Sequence, residues 1–379
     1  MTPAGIRPVG EALRQAGSAA DDAGWSMPES FYTDPAVLEL ERKHLFEKEW
    51  ICIGRVEELP KPGSFFTFQL CDEPLVAVRG EDHRIRVLSN VCRHRGALLA
   101  SGSGSGSYLL CPYHQWSFHL DGRLARAPRM EAHTDFDQST CRLPEFVTEE
   151  WTGFLFVSLA PNPAPLAPLL EPLEAMIRNY HMEEMTTRFV ADEVWPTNWK
   201  CFIENFMEGY HLTPLHSATL HNVNPTRLSR HFPSGEAYFG YLSGFPPDLP
   251  RVRGHPDLTE SEVHDCVMFA IPPGLVSGCA GDYSSFICVQ PEGVDRVRLK
   301  MGLMFHGDEW TDDAVEKAVD LSIRTNAEDR AILIDMMKGR ASKHFSPGPI
   351  APDFEGTLLD FYRYLNRRIG ASLAAITGG

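Results

Sequence analysis

The stretch from Cys92 to His114 constrains this chain more than any other. It reads Cys92-Arg93-His94, then sixteen residues, then Cys111-Pro112-Tyr113-His114. Two thiols and two imidazoles arrive in two pairs, each on a short loop between strand-like runs, and together they make a four-ligand metal site. Structural zinc usually joins Cys to Cys about two to four residues apart and His to His about three to five apart. Here each pair mixes one Cys with one His. That pattern is expected when two irons are held and each loop gives one ligand to each iron.

Such ligation is that of a Rieske [2Fe–2S] cluster, in which two His replace two Cys on one iron. Exchanging two thiolates for neutral imidazoles removes two negative charges, so an added electron costs less and the potential is high. Zinc on the same four residues, or four unrelated core residues, are the alternatives, and the surroundings weigh against both. His94 is followed by Arg95-Gly96, His114 by Gln115-Trp116-Ser117-Phe118, and Asp121-Gly122 is a hairpin signal. On these residues the chain resembles the oxygenase (alpha) subunits of Rieske non-haem iron oxygenases, which include ring-hydroxylating dioxygenases and quaternary ammonium oxygenases. Their Cys-x-His-Arg-Gly loop, Cys-Pro-Tyr-His-x-Trp loop and following Asp-Gly stand here as Cys92 to Gly96, Cys111 to Trp116, and Asp121-Gly122.

A chain of 379 residues is long enough for two domains. The net charge of −16 leaves no basic surplus to neutralise phosphates, which argues against nucleic acid. No apolar run is long enough to span a membrane and no signal peptide is evident, so a reducing, cytoplasmic compartment is expected. The nine cysteines then imply no disulfide framework. Residues 1 to about 24 show little periodicity and are expected to be mobile. Asp34-Pro35 reads as an N-cap and first helical residue, opening a helix to about Trp50. Short strands follow from Ile51 to Leu159, interrupted by a Ser-Gly alternation at Ser101 to Ser107 that reads as a flexible loop. After the Pro-rich run Ala160 to Pro168, helices flank strand-like runs at 189–195, 237–242, 266–271, 284–290 and 296–305. Helices are expected at 169–181, 198–211, 312–338 and 354–369. The fold class is therefore α+β: an all-β domain followed by an antiparallel sheet with helices. The expected division is a tail and helix at 1–45 packing on the second domain, a Rieske domain at 46–160 and a catalytic domain at 161–379.

The other informative segment is Asn198 to His216. His211 and His216 lie five apart, roughly 140° round an unbroken helix, and Pro214 would break the helix between them so that they can converge on one ion. Two imidazoles need a carboxylate to complete a facial triad on Fe(II) with positions left open. Many carboxylates are available. The resemblance narrows them, because the family takes its third ligand from a carboxylate pair on a long helix after the last strands. That pair is Glu328-Asp329; Asp329 is assigned, with Glu328 and then Asp335 as alternatives. The resemblance also implies a role for Glu208, three residues before His211. At this position the family usually has an Asp that bonds an iron-ligating His of its own subunit and a Rieske His of the neighbour. Glu here is a departure found among oxidisers of quaternary ammonium compounds. Trp199, Asn205 and Tyr210 are candidates to orient the ligands or simply to pack the helix.

What the resemblance implies is a terminal oxygenase with a helix-grip catalytic domain. Electrons from a separate flavin/iron-sulfur reductase would pass through the [2Fe–2S] cluster held by Cys92, His94, Cys111 and His114. They would reach mononuclear Fe(II) on His211, His216 and Asp329, with O2 and a small organic substrate, aromatic or quaternary ammonium. A head-to-tail homotrimer would bring one chain's cluster beside the next chain's iron. No Gly-x-Gly-x-x-Gly dinucleotide fingerprint is present, in keeping with a separate reductase. A Rieske electron carrier or a zinc-stabilised binding protein is the alternative, though a carrier would leave the second half unexplained. Tyr238, Phe239, Tyr241 and Phe245 are candidates for an aromatic cage around a quaternary ammonium.

Overall fold

The computed structural model describes residues 5–250, 254–307 and 310–377. Two compact units emerge, Phe46–Ala164 and Met1–Leu45 with Pro165–Gly379. Among the described residues no helix is long and apolar enough to cross a membrane.

The smaller unit is built on strands: β1 (Ile51–Arg55), β2 (Ser64–Leu70), β3 (Glu73–Arg79), β4 (Ile85–Ser89), β5 (Ser103–Ser105), β6 (Leu109–Leu110), β7 (Ser117–Phe118), β8 (Leu124–Arg126), β9 (Glu145–Trp151) and β10 (Phe154–Ser158). Seven make one sheet in the order β1-β10-β9-β4-β3-β2-β5, while β6, β7 and β8 make a three-stranded sheet. Gly122 takes φ 86° at the turn into β8, as the Asp-Gly hairpin signal requires. The Ser-Gly alternation is not simply a flexible loop. Ser103–Ser105 pairs with Ser64–Phe66 at the sheet edge, where its lack of bulky side chains suits the ring of Phe65, which lies 3.1 Å from where a Cβ on Gly104 would sit. Strand β9 escapes the sequence pattern because four of its seven residues are Glu, Thr or Glu-Glu, yet it sits between β10 and β4.

The larger unit opens with α1 (Ile6–Ser18), α2 (Ser30–Thr33) and α3 (Pro35–Glu41). After the smaller unit come α4 (Leu166–Ile177), β11 (Thr186–Trp195), α5 (Trp199–Phe206), β12 (Ser229–His231), β13 (Phe239–Gly244), α6 (Glu260–Val263), β14 (Asp265–Ile271), β15 (Leu275–Cys279), β16 (Tyr283–Gly293), β17 (Arg296–Phe305), α7 (Asp312–Arg340) and α8 (Gly356–Thr377). The strands form an antiparallel sheet in the order β11-β17-β16-β15-β14-β13-β12, a meander whose last strand is joined by the first. Long helices cover it, which is the helix-grip arrangement expected.

Several expectations need correction here. Of the N-terminal tail, residues 1–4 lie outside the described residues, but 6–18 are helical, not mobile. Ile6, Val9, Leu13 and Ala16 recur at helical spacing and are buried, and α1 packs against α8. A helix of 13 residues is marginal alone, so its partner decides its existence. Asp34 does cap α3, accepting from the Ala36 amide, but the α-helix ends at Glu41 and a π-helical turn, Arg42–Phe46, replaces its continuation to Trp50. Likewise α5 ends at Phe206 rather than His211.

α5 is fixed from behind by a buried ion pair. Lys200 Nζ donates to Glu41 Oε1 at 2.6 Å, both side chains essentially inaccessible, and Trp199 Nε1 donates to the other Glu41 oxygen. Burial holds the Glu41 carboxyl above its usual range against the pull of Lys200. Lys200→Met should therefore destabilise the larger unit by about 3–5 kcal/mol, because it strands a buried carboxylate. The pair replacement Lys200→Met with Glu41→Leu should recover most of that loss. Denaturant midpoints measure both.

Candidate metal centres

In the smaller unit the two Cys/His loops are built alike. The Cys92 amide donates to Ala97 O and its carbonyl accepts from the Gly96 amide; the Cys111 amide donates to Trp116 O and its carbonyl accepts from Gln115. Each loop thus closes on itself with the same two bonds, and each needs a left-handed residue four after the Cys. Gly96 meets this at φ 78° and Gln115 at φ 61°. Arg95 ties the loops together, its guanidinium donating to the Tyr113 hydroxyl at 3.2 Å and lying over that ring. Cys92 and Cys111 are buried in a core with Val76, Leu88, Trp116 and Phe118. The rings of His94 and His114 stand exposed, 4.8 Å apart, and His94 stacks on Trp116.

The electrostatics suit a cation between these groups. Burial raises the Cys92 thiol, and neighbouring Cys111 adds to the rise, so thiolates there require a compensating positive charge. Desolvation, with His114 and Arg95 as positive neighbours, lowers His94, which favours the neutral imidazole that can ligate. Sequence reasoning missed Asn90. Its buried side chain accepts from the amides of Leu99 and Ala100 and donates to Ala100 O, bracing the first loop.

In the larger unit, His211 and His216 converge without needing Pro214 to break a helix. Glu208 makes the turn: its Oε2 accepts from the Tyr210 and His211 amides, which lie past the end of α5. Gly209 permits the close passage over β12, since a Cβ there would collide with Ser229. The two rings lie 5.1 Å apart. Each His uses its Nδ1 on a Glu: His211 donates to Glu208 Oε1, and His216 donates to Glu328 Oε2 at 2.7 Å, where the Thr219 hydroxyl also donates. Both Nε2 atoms are thereby left with lone pairs, and both face Asp329 Oδ1, at 3.7 Å from His211 and 3.2 Å from His216.

A metal explains what is otherwise an awkward arrangement. His216 Nε2 and Asp329 Oδ1 are buried atoms without a hydrogen-bond partner, and one donor atom from each of His211, His216 and Asp329 lies within 4.8 Å of the others. Two imidazoles and a carboxylate match the facial set of non-haem Fe(II). Burial tends to lower the His216 pKa, but Asp329 and Glu328 outweigh it and the net shift is upward. Burial tends to raise Glu328, but Thr219 and His216 bring it down, as befits an ionised acceptor.

Of the other candidates, Trp199 belongs to the Glu41 pair. Tyr210 is exposed and stacks near Phe354, and Asn205 is buried with an unpartnered Oδ1. Asp335, the most distant alternative ligand, pairs with Lys338. The four cage aromatics are all buried; Phe239 packs on Phe361 and Tyr238 lies over Gly235. Burial raises the Tyr238 phenol, and burial together with the nearby charges of Glu208 and Asp329 holds Tyr241 well above the usual phenol range.

The sequence matches the Rieske [2Fe-2S] domain family over residues 49–146 and the ring hydroxylating alpha subunit (catalytic domain) family over residues 177–371. The chain belongs to the Rieske ring-hydroxylating oxygenase alpha-subunit family. Among curated relatives of this family, the carnitine monooxygenase oxygenase subunit of Acinetobacter baumannii is 30% identical, over 78% of this chain and 80% of its own. The glycine betaine monooxygenase oxygenase subunit of Pseudomonas aeruginosa is 28% identical over 92% and 90%. The fold is shared with the quaternary ammonium Rieske monooxygenase CntA at a TM-score of 0.83 and 23% identity, covering 94% of this chain and 98% of that one. As a Rieske oxygenase alpha subunit, the protein is the terminal component of a multi-component oxygenase, with a [2Fe–2S] cluster and mononuclear iron. It uses O2 and electrons from a separate reductase to oxidise a small organic molecule.

Glu328→Gln should keep the triad residues but weaken the fixing of His216, lowering iron affinity about 10–100-fold. Iron titration followed by metal analysis reads this directly.

Proposed function

We propose that this subunit oxidises a quaternary ammonium compound, with Cys92, His94, Cys111 and His114 holding the cluster and His211, His216 and Asp329 the iron. The observation that carries the substrate class is the charge around the triad. Asp329, Glu208 and Glu328 touch the two imidazoles, and Glu355 lies close enough to Glu208 and His211 to feel both charges. Burial first, then Glu208 and Glu204, raise the Glu355 carboxyl above its usual range. One divalent iron offsets part of this negative charge, and a cationic substrate is favoured over an aromatic acid. The named substrates of the two relatives, carnitine and glycine betaine, are of that class.

Bound there, the iron supplies dioxygen activation. The chain's own residues do the rest: Glu208 and Glu328 keep the protons on the two Nδ1 atoms and so present both Nε2 lone pairs to one point. Buried Tyr241 walls the side of Glu208. Electrons come from a separate flavin/iron-sulfur reductase in the cytoplasm, and no disulfide joins any described cysteine. A head-to-tail homotrimer is the assembly we infer, Glu208 linking His211 to His114 of the next chain. The structure of a quaternary ammonium Rieske monooxygenase of the same fold has given insight into inter-subunit electron transfer in that protein, which supports such a route.

Substrate-dependent O2 uptake with a surrogate reductase tests the class. Trimethylammonium compounds should turn over while benzoates and naphthalene stay near background. Coupled oxidation of an aromatic acid, with none of a betaine, would reverse the assignment. For the cluster, His114→Ala should lose the visible absorption and the Rieske electron paramagnetic resonance signal while mononuclear iron stays largely in place. An unchanged signal would remove His114 from the ligand set.

A further inference from the structure

A second group of ligating side chains lies in the larger unit and shares no residue with the iron triad. His181 and Glu184 sit on the turns joining α4 to β11, His255 precedes α6, and His306 follows β17. One donor atom from each of His181, Glu184 and His255 lies within 4.8 Å of the others. The His181 and His255 rings are 3.7 Å apart, and His255 and His306 are 5.0 Å apart.

Three details distinguish this group from a chance surface cluster. His181 Nε2 is bonded to Asp257 Oδ2 at 2.9 Å, which places that proton on Nε2 and leaves Nδ1 as a lone pair 3.6 Å from Glu184 Oε1. A carboxylate behind an imidazole that faces a second carboxylate is the usual support of a metal-ligating His. His306 Nε2 is a buried atom with no hydrogen-bond partner, 3.8 Å from Glu184 Oε2. Donors around a tetrahedral ion at about 2.0 Å stand roughly 3.3 Å apart, so the two Glu184 separations need to close by about half an ångström or less, while the His255 donor lies within 4.8 Å of those of His181 and Glu184. Finally, three imidazoles gathered beside Glu183, Glu184 and Asp257 make the mixed nitrogen and oxygen donor set that a zinc-like dication takes.

We propose that His181, Glu184, His255 and His306 bind a divalent zinc-like ion. Its part is structural: it pins three segments of the larger unit, the turn before β11, the loop before α6 and the end of β17.

The test uses the holoprotein with cluster and mononuclear iron in place. After equilibrium dialysis against Zn2+, zinc and iron are counted together by mass spectrometry. About one zinc per chain is expected with no loss of iron. It should persist in Asp329→Ala, and affinity should fall at least about 100-fold in His181→Asn and in His255→Ala. Asn tolerates the left-handed backbone of His181 (φ 48°), so His181→Asn should fold and decides the matter if His255→Ala does not. Retained cluster absorption and iron content check the fold. Zinc that binds equally to His181→Asn, zinc that vanishes with Asp329→Ala, or no zinc in the wild-type protein would each overturn the assignment.

Discussion

Asp329→Ala is expected to abolish turnover and mononuclear iron binding while the Rieske spectrum persists. Asp329 is the carboxylate that faces the free nitrogens of both imidazoles, and it is almost fully buried on α7. Truncation removes one of three ligands and the negative charge of the set, leaving two neutral imidazoles with weak hold on Fe(II). The adjacent Glu328 cannot simply take over, because its oxygen is engaged by His216 Nδ1 and the Thr219 hydroxyl. Asp329→Asn keeps the shape and loses the charge, so it should bind iron weakly instead of not at all. Iron analysis beside the visible spectrum measures both effects. Iron and activity that survive in Asp329→Ala but vanish in Glu328→Ala would transfer the ligand role to Glu328.

Glu208→Gln is expected to keep the fold, both metals and the assembly, yet to cut turnover by about 10–100-fold through the ligand it supports, and further if Glu208 also carries the link between subunits. The carboxylate accepts from His211 Nδ1 with one oxygen and from two backbone amides with the other. A Gln can satisfy only one side: if its carbonyl meets the ring, its NH2 opposes the Tyr210 and His211 amides. Leaving such donors unmet costs about 1–3 kcal/mol, enough to loosen the turn without unfolding the unit. Under the proposed inter-subunit route, one of the carboxylate's lone-pair directions, on Oε1, remains for His114 of a neighbouring chain. Stopped-flow decay of the reduced cluster in the presence of substrate and O2 should therefore slow more than iron affinity falls. Glu208→Asp should recover part of the rate if the shorter side chain still reaches. A monomer in solution with full activity would defeat the route.

The elements that the sequence determines by itself are those whose physics is local. The two Cys/His loops each close within six residues through their own backbone bonds, so spacing and a left-handed residue suffice to recognise them. Asp34 before Pro35 and the Asp-Gly turn are likewise short-range devices. Tertiary structure decided what depends on docking. Glu328 and Asp329 are neighbours on one helix, pointing roughly 100° apart, and only the seating of α7 over residues more than a hundred positions earlier turns Asp329 inward and Glu328 to the side of His216. Past the end of α5 at Phe206, the course of the chain depends on Glu208 bonding the Tyr210 and His211 amides and on Gly209 passing over Ser229. Helix α1 exists because α8 covers its apolar stripe, and strand β15 because neighbours on both sides bury Leu275–Cys279. The four residues proposed to bind zinc span 181 to 306 because they come from three separate connections, which only the completed sheet brings together.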